Sequence, residues 1–111
     1  MSKLKIAVVG ATGFIGRHVV TELLKYDVEI IATYYSSKGK FTASSKVHWL
    51  HFDICQSSDN IFSELGEPDV LIHLAWSGLP NYNSPHHYEV ELFNQYVFLK
   101  KMVLGGLKSV V

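Results

Sequence analysis

The stretch Lys5-Ile6-Ala7-Val8-Val9-Gly10-Ala11-Thr12-Gly13-Phe14-Ile15-Gly16 constrains this chain more than any other. Four apolar residues run without polar alternation into three glycines spaced three apart, and an apolar stripe at Ile15, Val19, Leu23 and Leu24 follows. A strand with no alternation is covered on both faces, as in a parallel sheet. The stripe after the glycines has helical spacing, so the segment reads as strand, tight turn and helix start. Gly10 permits a sharp turn where φ needs to be positive. Gly13, having no Cβ, lets backbone come close to an anion, and Gly16 lets the helix lie close on the strand. The N–H groups of the first helical turn, near Phe14 and Ile15, lack intrahelical partners and carry roughly half a positive charge between them. A pyrophosphate is the natural occupant. The plainer alternative is a glycine-rich turn with no ligand, and the spacing between strand and amphipathic helix argues against it.

The rest of the chain alternates in the same way. A first strand over about 4–9 and a helix over about 14–25 precede a second strand, Val28 to Thr33. A polar loop over 34–45 leads to a third strand at about 47–52. Ser57, Ser58 or Asp59 can cap a short helix carrying Ile61, Phe62 and Leu65, which Gly66 closes. Pro68-Asp69 launches a fourth strand, Val70 to Ala75, and a loop over 76–85 leads to a long helix at about 86–105, ended by Gly105-Gly106. A fifth strand begins near Lys108. This pattern predicts an α/β fold, a doubly wound parallel sheet of order 3-2-1-4-5, with ligand across the strand carboxyl ends where strands one and four diverge.

Composition bounds the function classes. With 111 residues there is room for one small domain. Ten Lys plus Arg balance ten Asp plus Glu, so nucleic acid is a poor partner. No apolar run is long enough to span a bilayer and no signal peptide is visible. The single cysteine, Cys55, excludes an internal disulfide and fits a reducing compartment, so a cytoplasmic protein is expected, with Cys55 read as a buried structural thiol. The apolar, strand-like end at Leu107-Lys108-Ser109-Val110-Val111 suggests an N-terminal piece of a longer protein, cut after strand five.

The order G-x-x-G-x-x-G differs from the commonest dinucleotide fingerprint, G-x-G-x-x-G. Gly10 to Gly16 instead resembles the cofactor loop of the extended short-chain dehydrogenase/reductase family. That family includes the NAD-dependent sugar-nucleotide epimerases, dehydratases and reductases. The resemblance implies a Rossmann domain over 1–111, with Gly10, Thr12, Gly13, Phe14, Ile15 and Gly16 clasping the cofactor. Asp53 matches the family's aspartate that accepts from the adenine amino group, with Ile54 beside the ring. A solvated helix cap is the other reading of Asp53. Pro68 to Ala75 resembles the family's fourth strand, whose end, here Leu74, Ala75 and Trp76, lies along the ribose and nicotinamide side. Trp76 stands where a small residue is usual. Asn94 matches a family asparagine that shapes the site from below, and plain helix-surface polarity fits it equally well. The helix over 86–105 often joins a partner's helices in this family, which implies a homodimer.

The end of strand two usually selects the cofactor: an acid about twenty residues beyond the glycines binds the ribose 2′-hydroxyl. Here Thr33-Tyr34-Tyr35-Ser36-Ser37-Lys38 has no carboxylate. Ser36, Ser37 and Lys38 can hold a 2′-phosphate instead, which favours NADP over NAD. His73 reads as a hydrogen-bonded structural histidine. His86 and His87 are adjacent and diverge on a helix, and no zinc spacing exists, so no metal is expected. The family's catalytic Tyr-x-x-x-Lys lies after strand five. Tyr96 and Lys100 match the spacing but precede it, so catalytic residues are expected past Val111 and none within the chain. The expected activity is that of an NAD(P)-dependent epimerase, dehydratase or reductase on a nucleotide-sugar, with this chain as its cofactor-binding part. A non-catalytic NADP-binding regulator is the alternative.

Overall fold

The computed structural model describes residues 3–35, 46–76 and 83–111. Its elements are β1 (Leu4–Val9), α1 (Phe14–Leu23), β2 (Val28–Tyr34), β3 (Val47–His51), a 3₁₀ turn (Ile54–Gln56), α2 (Ile61–Glu64), β4 (Val70–His73), a π-helical turn (His87–Glu91), α3 (Leu92–Gly105) and β5 (Ser109–Val110). The five strands form one sheet in the order β3-β2-β1-β4-β5, every pair parallel. Ile6 lies opposite Ile30 of β2 and Val70 of β4.

The apolar run of β1 is explained by two cores. Ala7 and Val9 pack on one face with Ile61, Leu65, Phe98 and Met102 from α2 and α3. Ile6 and Val8 pack on the other face with Val20 of α1 and Ile30 of β2. The strand's period-2 geometry is intact, but both faces are dry, so no polar residue alternates in.

Several expected boundaries move. Helix α1 ends at Leu23, and its buried face is Gly16 and Val20, flanked by the partly buried Val19, Leu23 and Leu24. Ile15, expected on the buried stripe, is 60 % exposed, and Phe14 is 76 % exposed. The tight approach at Gly16 rotates α1 so that its smallest residue faces the sheet. Strand β4 ends at His73, two residues early, and β3 ends at His51. The N-cap of α2 is Asn60, which makes no side-chain capping bond. Ser58 acts one turn earlier: its Oγ accepts from Asn60 N and donates to Glu64 Oε1 at 2.7 Å.

The long helix departs furthest from expectation. It opens with the π turn, and its buried face is Glu91, Gln95, Phe98 and Met102. Leu92, Phe93, Tyr96 and Val103, which make the apolar stripe of this helix wider than one sheet contact needs, are exposed. Gly106, at φ +126°, ends α3 in a conformation that side chains rarely adopt.

Candidate functional site

A cleft of about 510 Å³ opens at the carboxyl ends of β1, β2, β3 and β4. Parallel strands ending together, with β1 joined to β2 on one side and to β4 on the other, leave this crevice by topology. Of the site residues expected from sequence, Gly10, Thr12, Gly13, Asp53, Ile54, Leu74, Ala75 and Trp76 line it. Phe14, Ile15 and Gly16 do not. Ser36, Ser37 and Lys38 lie outside the described residues.

The glycine corner is built by three different constraints. Gly10 has φ +86°, and a Cβ there would stand 2.9 Å from the Ala75 nitrogen of the β4 end. Gly10 N donates to Thr33 Oγ1 at 3.2 Å and Ala11 N to the Thr33 carbonyl at 2.9 Å, which ties the turn to β2. At Gly16 a Cβ would lie 2.1 Å from the Gly10 carbonyl, so a helix bearing any side chain there could not pack this close. Gly13 differs. It has ordinary extended backbone, φ −72° and ψ 177°, and a Cβ would make only an ordinary 3.5 Å contact with the Gly10 carbonyl. Nothing within the fold requires glycine there, and the residue lines the cleft. Gly13 is the N-cap of α1 and supplies no side-chain cap, and the first turn carries no acid. The leading N–H groups of α1 therefore have no side-chain acceptor of their own, which leaves them suited to an anion.

Asp53 is a cap and a cleft residue at once. Its Oδ1 accepts from Cys55 N at 2.9 Å and caps the 3₁₀ turn, and the residue also lines the cleft beside Ile54. Cys55 corrects the sequence reading: it is exposed and lines the cleft, because the turn that Asp53 caps lifts it out of the core. Its Sγ takes a hydrogen bond from Asn94 Nδ2 at 3.2 Å, which places Asn94 beside the site. Desolvation, then the nearby Asp53 and Glu91 carboxylates, push the Cys55 thiol up, so it is a poor nucleophile at neutral pH.

The β4 end is held from below. Gln95 Nε2 donates to the Ala75 carbonyl at 2.8 Å and to Glu91 Oε1 at 2.6 Å, and Gln95 Oε1 faces His73 Nε2 in hydrogen-bond contact. His73 is thus the structural histidine expected from the sequence, and burial pushes its pKa down. With the ring neutral and Nε2 donating, Nδ1 is an acceptor left without a partner. Trp76, at the rim, donates from Nε1 to His87 Nδ1 at 2.7 Å. Tyr96 and Lys100 stand on the outer face of α3, with Nζ 5.8 Å from the ring centroid, and line no part of the cleft.

Sequence reasoning missed Thr33, Tyr35, Phe52, Cys55 and Glu91 as cleft residues. Tyr35 and Phe52 immediately follow β2 and β3, so the rule that ligands lie beyond strand ends could have found them. Glu91 gave no signal, since an acid on a helix usually faces water. Among the described residues no group of three or more His, Cys, Asp or Glu could hold a metal ion, and no helix is long and apolar enough to cross a membrane.

A doubly wound parallel sheet with a glycine corner at its crevice defines a nucleotide-binding class of fold. Residues 6–93 match the NAD dependent epimerase/dehydratase family, and the chain belongs to that family. It is 31% identical over 108 residues to dTDP-6-deoxy-L-talose 4-dehydrogenase (NAD(+)) of Aggregatibacter actinomycetemcomitans, covering 96% of this chain and 40% of that protein. It resembles the UDP-glucose 4-epimerase of Thermotoga maritima, solved with UDP-glucose, at 26% identity and a TM-score of 0.76, covering 96% of this chain and 36% of the epimerase. The WbmG enzyme of Bordetella bronchiseptica, solved with NAD, shares the fold at 16% identity and a TM-score of 0.74, over 98% of this chain and 36% of that one. The chain thus spans well under half the length of these relatives.

Proposed function

We propose that this chain is the cofactor-binding part of a longer NAD(P)-dependent enzyme that modifies a nucleotide-sugar. The observation that carries the reading is Gly13, a cleft glycine that no packing contact demands. A diphosphate bridge laid against it would take the free N–H groups at the start of α1. Adenine would then lie toward Asp53 and Ile54 at the β3 end. The nicotinamide half would run past Leu74, Ala75 and Trp76 at the β4 end. The bound dinucleotide would supply hydride transfer. The chain's own residues bind and orient it. Phe14, Ile15 and Gly16 act through backbone, Gly16 by letting the helix start reach the crevice. The dTDP-sugar and UDP-sugar named for the relatives support a nucleotide-sugar substrate. Their greater length supports a base and sugar site supplied from beyond Val111.

NADP is the proposed form, on the polar, carboxylate-free run at Ser36, Ser37 and Lys38. The relatives solved or named with NAD weigh the other way. We place the protein in the cytoplasm on its single cysteine. The outward apolar residues of α3 support a homodimer.

Titrating the chain with NADPH and NADH, read by intrinsic tryptophan fluorescence and by thermal shift, tests the reading. Saturable binding of either below millimolar concentration is expected, with NADPH tighter. No response to either at millimolar concentration removes the cofactor site. Equal or tighter binding of NADH removes only the phosphate preference. A Tyr-x-x-x-Lys in sequence downstream of Val111 is expected for the enzyme, and its absence leaves a non-catalytic regulator.

A further inference from the structure

Glu91 is 2 % exposed and yet lines the cleft. Its position is fixed from two sides. Oε1 accepts from Gln95 Nε2 at 2.6 Å, and Oε2 lies 3.4 Å from His86 Nε2. The same Gln95 nitrogen donates to the Ala75 carbonyl at 2.8 Å, so the carboxylate stands two hydrogen bonds from the backbone of the β4 end. Burying a carboxylate is costly unless it is paired and hydrogen-bonded. A neutral amide at position 91 could accept the same bond from Gln95, so holding β4 to α3 does not by itself call for a charge. The charge reaches the cleft: Glu91 is among the groups that push the exposed Cys55 thiol up.

We propose that the Glu91 carboxylate makes the cleft favour the oxidised, cationic nicotinamide over the neutral reduced ring. The inference rests on the dinucleotide reading above, which sets the nicotinamide half along Leu74, Ala75 and Trp76. Asp53, the other acid lining the cleft, is at the β3 end, on the adenine side. A fixed negative charge with little water around it attracts a nearby cation more strongly than bulk water would allow. The neutral dihydropyridine gains nothing from that field. Glu91 is thus a specificity-determining residue for the redox form of the cofactor.

The test compares dissociation constants of the two redox forms of one dinucleotide, at pH 8, where histidines as a class carry no charge. Wild type, Glu91→Gln and Glu91→Asp are titrated by calorimetry. Wild type is expected to bind the oxidised form more tightly. Glu91→Gln should lower that preference by about fivefold to tenfold, the scale of one charge at moderate effective dielectric. Glu91→Asp, which keeps the charge, should retain a larger preference than Glu91→Gln. A purely structural role would weaken both forms equally, so an unchanged ratio in Glu91→Gln overturns the proposal while leaving the dinucleotide site standing. Tighter binding of the reduced form by wild type overturns it with no variant at all. Binding of neither form to wild type removes the dinucleotide reading, and this inference with it.

Discussion

The three glycines of the first turn look alike in sequence, and their surroundings separate them. Gly16 is sterically required: a methyl group there would sit 2.1 Å from the Gly10 carbonyl, and that oxygen belongs to a backbone that cannot yield. Gly16→Ala should therefore destabilise the fold by about 3 kcal/mol, the upper range for overpacking, by forcing α1 off the sheet. Gly13→Ala meets an ordinary 3.5 Å contact and ordinary backbone. Its stability cost should stay under about 1 kcal/mol, the scale of a helix N-cap change. If the diphosphate lies where proposed, the added methyl group should still weaken dinucleotide binding by at least about tenfold, because it stands between ligand and backbone. Urea melts paired with NADPH titrations of both variants check this. Gly13→Ala binding as wild type does would mean that the corner clasps nothing.

At the scale of elements, the join between β4 and α3 is polar where the neighbouring joins are apolar. Gln95 links Glu91, Ala75 and His73, and Phe98 and Met102 continue the same helix face into the core. His73 is mostly buried, its ring 5.2 Å from that of Phe98, and desolvation holds its pKa down against smaller opposing effects of Gln95 and Glu91. The sign of the linkage follows. The folded state keeps this ring neutral, while the unfolded chain takes up a proton as pH falls below about 6.5. Stability is complete above that pH and is lost on acidification toward the folded value, by at most about 1.4 kcal/mol per pH unit. Between pH 7.5 and 5.5 the urea midpoint of wild type should fall, and that of His73→Gln should fall less. Equal falls in the two proteins would show that another group carries the acid sensitivity.

The whole molecule is a sheet covered by α1 on one face and by α2 and α3 on the other, with the second cover only half used. The π turn and helix α3 turn the polar Glu91 and Gln95 inward, and leave Phe93 65 % and Leu104 77 % exposed. Together with Leu92, Tyr96 and Val103, these form an apolar surface on a single helix, the usual mark of a further partner. On the homodimer proposed above, wild type should sediment as two chains. Phe93→Glu combined with Tyr96→Lys should sediment as one, with the far-ultraviolet spectrum unchanged. Identical sedimentation of the two would take this surface out of the proposed interface.

Element order, parallel pairing and the strand sequence 3-2-1-4-5 were all readable from the chain, because β1 is apolar without alternation and each later strand is followed by turn residues. The corner at Gly10 was readable for the same reason: backbone conformation is a local property, and glycine spacing records it. Asp53, Leu74, Ala75 and Trp76 were expected beside the cofactor from the family resemblance, and all four line the cleft. The inward face of α3 was not readable. The apolar stripe through Leu92, Phe93 and Tyr96 was legible as wider than one sheet contact needs, but not which residues turn inward: Glu91 and Gln95 do, and Gln95 Nε2 donates to the Ala75 carbonyl just beyond β4. The exposure of Cys55 follows likewise from the turn that Asp53 caps. Local periodicity and turn chemistry are written in the sequence, but which helix face meets a polar strand end depends on a partner far along the chain, and tertiary packing alone sets that.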